Sequence, residues 1–310
     1  MTIERMRRLI HTEFLMVYDA NVTLLETPVW DARTQRLYCT DLFTGDVHAY
    51  DPSDGKVVIY RTGGGMIGSA IPASDENKLL CATEKGICLY DLTSGLLCVV
   101  ADPNGGNSEN RYNDTRVDTR GRIFASTVSK LYGTSDYRPD MLGAFYMVDT
   151  DGSVKTVVEG INQYNCIVWN TADTEMFVID TFNGKLLSFD YDIERGPVSG
   201  PRERLDLNGI GMPDGLSIDT NDNLYICHWA GKISVWDKTL SPVRIIDFPV
   251  SQVCCGGFGG AAMKDFYVAT ARYAYTEEQL ADRRGAGGLF RADAETAGTG
   301  DHFYPIKQGE

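Results

Sequence analysis

Positive charge is in short supply in this chain. Twenty-nine lysines and arginines stand against 43 aspartates and glutamates, a net charge of −14 over 310 residues. Nucleic acid and anionic membrane surfaces both demand clustered positive charge, so neither is an expected partner. Long apolar runs are missing as well. No stretch approaches the roughly 18 residues a membrane-spanning helix needs. The basic opening MTIERMRRLIHTEFLM is interrupted at His11 and Glu13, which makes a poor secretory signal. Eight cysteines, at 39, 81, 88, 98, 166, 227, 254 and 255, show none of the paired spacing of a zinc site. Most sit in apolar runs such as LLCAT and LYICHW, where a thiol packs as a small hydrophobe. Buried free thiols imply a reducing compartment, so the expected location is cytoplasmic.

Helical periodicity is almost absent; YTEEQLADRRG at 275–285 is the clear exception and predicts a short helical insert. What the chain has instead is a repeat. Short β-branched or aromatic runs, each followed by a turn and a second alternating run, begin at Leu37, Leu79, Ile123, Met176, Leu224 and Phe266, spaced 42 to 53 residues apart. That period holds about four short strands, the size of a propeller blade. Asn183-Gly184, Asp54-Gly55 and Asp151-Gly152 supply hairpin turn chemistry between the runs. The expected fold is all-β, one six-bladed propeller domain over 1–310. FLMVYD near the N-terminus is expected to add an outer strand to the last blade and close the ring.

Reading back ten or eleven residues from the six starts reaches Glu26, Ser69, Asn113, Asn165, Asp214 and Gly256. Equivalent positions in a closed ring face the central channel, so two carboxylates and two amides are expected to meet on the axis. Each residue alone is an ordinary turn former; their shared phase points to a metal. Oxygen donors suit a hard divalent cation such as Ca²⁺, Mg²⁺ or Mn²⁺, and an open site also admits Zn²⁺ or Fe²⁺. The densest polar stretch is Asn110–Thr127, with Arg111, Asn113 and Asp114 in sequence.

Other chemistries find less support. Ser69 and Ser126, read as exposed serines, lack a Gly-x-Ser-x-Gly elbow. The glycine runs at 63–65 and 256–260 lack the sequel of a phosphate loop and are read as close-packing glycines. His228 either contacts substrate in the channel or packs beside Trp229; His11, His48 and His302 are read as surface residues. Arg272 is read as structural.

The segments LLETPVWD (24–31), RYNDTRVDTRGRIFAST (111–127), NQYNCIVWN (162–170), MPDGLSID (212–219) and CCGGFGG with YVATAR (254–272) resemble the senescence marker protein (regucalcin), gluconolactonase and luciferin-regenerating-enzyme family, in order and over nearly the whole chain. The resemblance implies a six-bladed propeller with one divalent cation (Ca²⁺, Zn²⁺, Mn²⁺, Mg²⁺ or Fe²⁺) held by Glu26, Asn165 and Asp214. It implies substrate contact by Arg111 and Asn113, with Asn113 near the metal directly or through water. Where some sugar-lactone-acting members carry a glutamate before the third unit's Gly-Ala-x-Tyr strand, this chain has Pro139 beside Asp140. Asp140 either substitutes or marks a different substrate.

The expected activity is metal-dependent opening of a small-molecule lactone to its hydroxy acid, with Asp214 as general base and Arg111 on the carbonyl or ring oxygen. An aryl-ester or phosphotriester hydrolase on the same scaffold, and a non-catalytic metal-binding propeller, are the alternatives. The expected assembly is a monomer or homodimer.

Overall fold

The computed structural model describes residues 13–306, so His11 lies outside the described residues. Each of the six repeat starts becomes the second strand of its own antiparallel sheet, and the six sheets stand around an axis as blades. After β1 (Leu15–Tyr18), the first blade is β2 (Leu25–Asp31), β3 (Arg36–Asp41), β4 (Asp46–Tyr50) and β5 (Val57–Arg61). The second is β6 (Ile67–Pro72), β7 (Lys78–Thr83), β8 (Gly86–Asp91) and β9 (Leu97–Ala101). The third is β10 (Asn110–Val117), β11 (Ile123–Ser129), β12 (Gly143–Val148) and β13 (Val154–Ile161). The fourth is β14 (Tyr164–Trp169), β15 (Glu175–Asp180), β16 (Lys185–Asp192) and two outer pieces, β17 (Gly196–Pro197) and β18 (Arg202–Asp206). The fifth is β19 (Pro213–Ile218), β20 (Leu224–His228), β21 (Lys232–Trp236) and β22 (Pro242–Asp247). The last is β23 (Val253–Gly259), β24 (Asp265–Thr270) and β25 (Leu289–Asp293), with α1 (Glu277–Ala281) inserted before β25.

β1 completes that last blade by pairing with β25, so the first and last described strands share one sheet. β23 then packs beside β2 and the ring is closed. His48 turns out to be buried rather than at the surface: its Nδ1 lies 3.0 Å from the Tyr18 hydroxyl and ties β1 to the first blade.

A propeller strand has protein on both faces, which explains why these runs read as nearly continuous apolar sequence. Successive side chains point to opposite neighbours. Leu37 enters the core shared with the last blade while Tyr38 enters the core shared with the second. Leu224 and Tyr225 divide in the same way between the cores on either side of the fifth blade. Six such cores, one between each pair of neighbouring blades, replace a single central one. The glycines of β23 allow this close packing: a Cβ on Gly257 would sit 2.2 Å from the Pro28 carbonyl oxygen.

The axis is therefore free for polar groups, and every innermost strand carries a break in register there. Bulges leave residues unpaired and re-aim them. Aligning the blades on the pairs Leu25–Asp41, Ile67–Thr83, Tyr112–Thr127, Tyr164–Asp180, Pro213–His228 and Val253–Thr270 gives the ring directly. The next residue in each strand is Glu26, Gly68, Asn113, Asn165, Asp214 and Cys254. Four match the sequence expectation. In the second and sixth blades the bulge displaces the phase, and Gly68 and Cys254 replace Ser69 and Gly256.

Candidate metal-binding active site

Glu26, Asp214 and Cys254 come from the first, fifth and sixth blades, yet their ligand atoms lie within 4.8 Å of one another. The fourth blade joins through Asn165, whose Nδ2 donates to Asp214 Oδ1 at 2.5 Å and to Thr181 Oγ1 at 3.0 Å. The third blade follows: Asn113 Nδ2 donates to Asn165 Oδ1 at 2.5 Å, and Arg111 Nη1 donates to Asn113 Oδ1 at 2.8 Å. The structure thus brings Glu26, Asn113, Asn165, Asp214 and Arg111 together. In the second blade Gly68 leaves a gap that no other residue fits, because a Cβ there would fall 2.1 Å from the Asn113 carbonyl oxygen.

Burial and like charge dominate the electrostatics of this cluster. Burial raises the Glu26 carboxyl to about 7, and Asp114 raises it further while the Cys255 thiol, donating to Oε2 at 2.9 Å, opposes the shift. Burial and the nearby Glu26 push Asp214 well above the usual carboxylate range, against a lowering bond from Trp229 Nε1 at 2.5 Å to Oδ2. Desolvation lowers the Arg111 guanidinium to about 10, opposed by Glu26 and Asp214. Two buried carboxylates facing each other are costly unless a positive charge joins them. The donors fit a divalent cation: two carboxylates, with Asn165 a half-turn of its amide away from presenting oxygen where it now presents nitrogen.

The connections between second and third strands gather on the face where this cluster opens, and they carry aromatics. Phe43 stacks on Tyr273, Trp229 meets Tyr273 edge-on, and Tyr137 meets Tyr132 and Phe182. Burial, and next the Asp214 charge, push the Tyr132 hydroxyl up to about 12. This collar escaped sequence reading because its residues sit in loops of unequal length, outside the repeat.

Two expected contacts fall elsewhere. His228 is fully buried; its Nδ1 lies 3.0 Å from the Gly211 carbonyl and its Nε2 2.8 Å from Ser234 Oγ, so it is a packing residue of the fifth blade and not a substrate contact. Asp140 is exposed on the 130–142 loop, paired with Arg138 at 3.3 Å, and is not part of the ring. Ser69 and Ser126 are buried rather than exposed, with Ser126 Oγ donating to the Tyr164 carbonyl at 2.7 Å. His302 is at the surface as expected. All eight cysteines are free; seven are buried and Cys98 alone is exposed.

Chain comparison places this architecture. The SMP-30/gluconolactonase/LRE-like region matches residues 24–272. The chain belongs to that family. YvrE of Bacillus subtilis, which is named as a candidate sugar lactone lactonase, is 28% identical over 90% of this chain and 94% of its own. The pentonolactonase XacC of Haloferax volcanii is 28% identical over 94% of this chain and 98% of its own. The fold matches a calcium-binding protein, regucalcin, from Agrobacterium tumefaciens, with a TM-score of 0.87 and 21% identity over 95% of this chain and 98% of that one.

Proposed function

We propose that this family member is a divalent-metal-dependent lactonase that opens a small-molecule lactone to its hydroxy acid. The observation that carries this reading is the facing pair Glu26 and Asp214, both shifted towards neutrality by burial, Glu26 further by Asp114 and Asp214 by Glu26. The lactonase names of the curated relatives support the substrate class, and the calcium-binding name of the structural relative supports a cation.

Glu26, Asn165 and Asp214 would hold the cation, with Asn113 beside them and Cys254 at the edge. The cation supplies a Lewis acid for the ester carbonyl and makes water a better nucleophile near neutral pH. The protein residues do the rest. Trp229 donates to Oδ2 of Asp214 and so orients the carboxylate that would take a proton from the attacking water. Arg111 spends Nη1 on Asn113 Oδ1 and the Tyr112 carbonyl, and its fork leaves Nη2 and Nε for a substrate oxygen. The aromatic collar gives a ring-shaped substrate apolar walls and reduces the access of bulk water.

The same chemistry extends to aryl esters and phosphotriesters, so the decisive experiment compares substrates on one variant pair. Wild-type protein should release acid from lactones faster than from aryl esters or phosphotriesters. Asp214→Asn should lose on the order of 10²- to 10⁴-fold of that rate while keeping its near-ultraviolet circular dichroism. A folded Asp214→Asn variant with undiminished lactone turnover rejects the assignment.

A further inference from the structure

One residue beyond the oxygen ring, the six bulges present a second ring: Thr27, Ser69, Asp114, Cys166, Gly215 and Cys255. Its members are not a copy of the first. Asp114, Cys166 and Cys255 come from the third, fourth and sixth blades, and their ligand atoms all lie within 4.8 Å of one another. Since the third and sixth blades stand opposite each other, that convergence is on the axis. Gly215 makes room for it, because a Cβ there would lie 2.9 Å from Cys255 Sγ.

From these contacts we propose a second axial cation site, formed by Asp114, Cys166 and Cys255, that takes a borderline-soft divalent ion of the zinc type. Four observations support it. The two sulfurs are 4.0 Å apart, and thiolates about 2.3 Å from a tetrahedral zinc stand about 3.8 Å apart. Asp114 is 3% exposed and uses Oδ1 for Arg116 at 2.5 Å, whereas Oδ2 has no partner although it is buried. Ser69 holds the corresponding position in the second blade, fully buried, and its Oγ has no partner either. Positive charge is at hand too: Arg116 Nη2 is 3.6 Å from Cys166 Sγ, and Arg116 is shared with Asp301 at 3.3 Å.

Ligand type separates the two rings. Thiolates select borderline and soft ions, whereas the carboxylates and amides above them select hard ones. Binding releases the two thiol protons to solvent and leaves two metal–sulfur bonds and one metal–oxygen bond. The ion would link three blades across the axis. A cavity of about 310 Å³ is lined by Arg116, Ile167 and Gly256, each within two residues of a ligand, together with Asp301 and His302. Its ligands are distinct from those of the oxygen ring, although the Cys255 thiol donates to Glu26 Oε2 at 2.9 Å.

The test is a Cd²⁺ titration of metal-depleted protein, kept reduced with a phosphine, in excess Ca²⁺ so that the oxygen ring is occupied by the hard ion. The expected result is an ultraviolet sulfur-to-cadmium charge-transfer band saturating at one equivalent. It should vanish in Cys166→Ser and in Cys255→Ser, and persist in Cys254→Ser and Cys98→Ser. Asp114→Asn, which retains both sulfurs, should keep the band at saturation and weaken Cd²⁺ binding at least tenfold. No band in the wild type, a band lost only with Cys254, or an unchanged Cd²⁺ affinity in Asp114→Asn would each overturn the proposal.

Discussion

Asp214 depends on its neighbours for both orientation and charge. The Trp229 indole is the donor that lowers its pKa, against desolvation and Glu26. Trp229→Phe keeps a ring at the collar and removes that N–H. A hydrogen bond to a charged group contributes about 1.5–3 kcal/mol, which corresponds to roughly one to two pH units. The acid limb of the turnover profile should therefore move to higher pH by about that amount; an unmoved limb excludes this positioning role. His228 provides a separate pH effect on folding. Burial lowers its imidazole to about 4 from the usual 6.5. The unfolded chain binds that proton more readily, so the stability from neutral His228 is full above 6.5 and is lost as pH falls towards 4. The loss amounts to on the order of 3 kcal/mol. His228→Gln should flatten this part of the acid-unfolding curve, and identical slopes in both proteins would refute the linkage. His228 also shows a limit of sequence reading: a histidine on an apolar strand beside a tryptophan looks the same whether it faces a channel or a serine.

Among the elements, β1 is the one whose role is easiest to isolate. It covers the outer edge of β25, buries part of Val17 and Tyr18 against the core between the last and first blades, and holds His48. An uncovered edge strand is also a template for aggregation. Removing the chain through Asp19 should cost on the order of 3–5 kcal/mol, from about 1.5–3 kcal/mol per apolar side chain, and lower Tm by roughly 10 °C. An unchanged Tm would show that closure does not depend on this strand. The repeat starts, the closing strand and the helical insert were legible because each follows from periodicity or turn chemistry. The bulges were not, because an extra residue in a strand leaves no mark on an apolar pattern. For that reason counting back placed Glu26, Asn113, Asn165 and Asp214 in phase but took Ser69 for Gly68 and Gly256 for Cys254. The adjacent pair Cys254-Cys255 gave no signal of the bulge, because buried thiols pack in apolar clusters as small hydrophobes do.

At the scale of the whole molecule, six two-sided cores leave the axis as the place where charge can be concentrated. Among the described residues it holds two carboxylates, two amides and Arg111 in one layer, and Asp114, Arg116 and two thiols in the next. The Ala297–Ile306 segment crosses the far face, pairing with Thr220, Ile218 and Ser74, and Asp301 reaches Arg116 at 3.3 Å. The aromatic collar rims the other end. A cation held by Glu26, Asn165 and Asp214 should be required for lactone opening. Acid release from a panel of lactones, measured on chelator-stripped protein before and after adding Ca²⁺, Mg²⁺, Mn²⁺, Zn²⁺ or Fe²⁺ one at a time, tests it most directly. Activity should fall near zero after stripping and recover with at least one of these ions. Full activity in fully stripped, folded protein would contradict it.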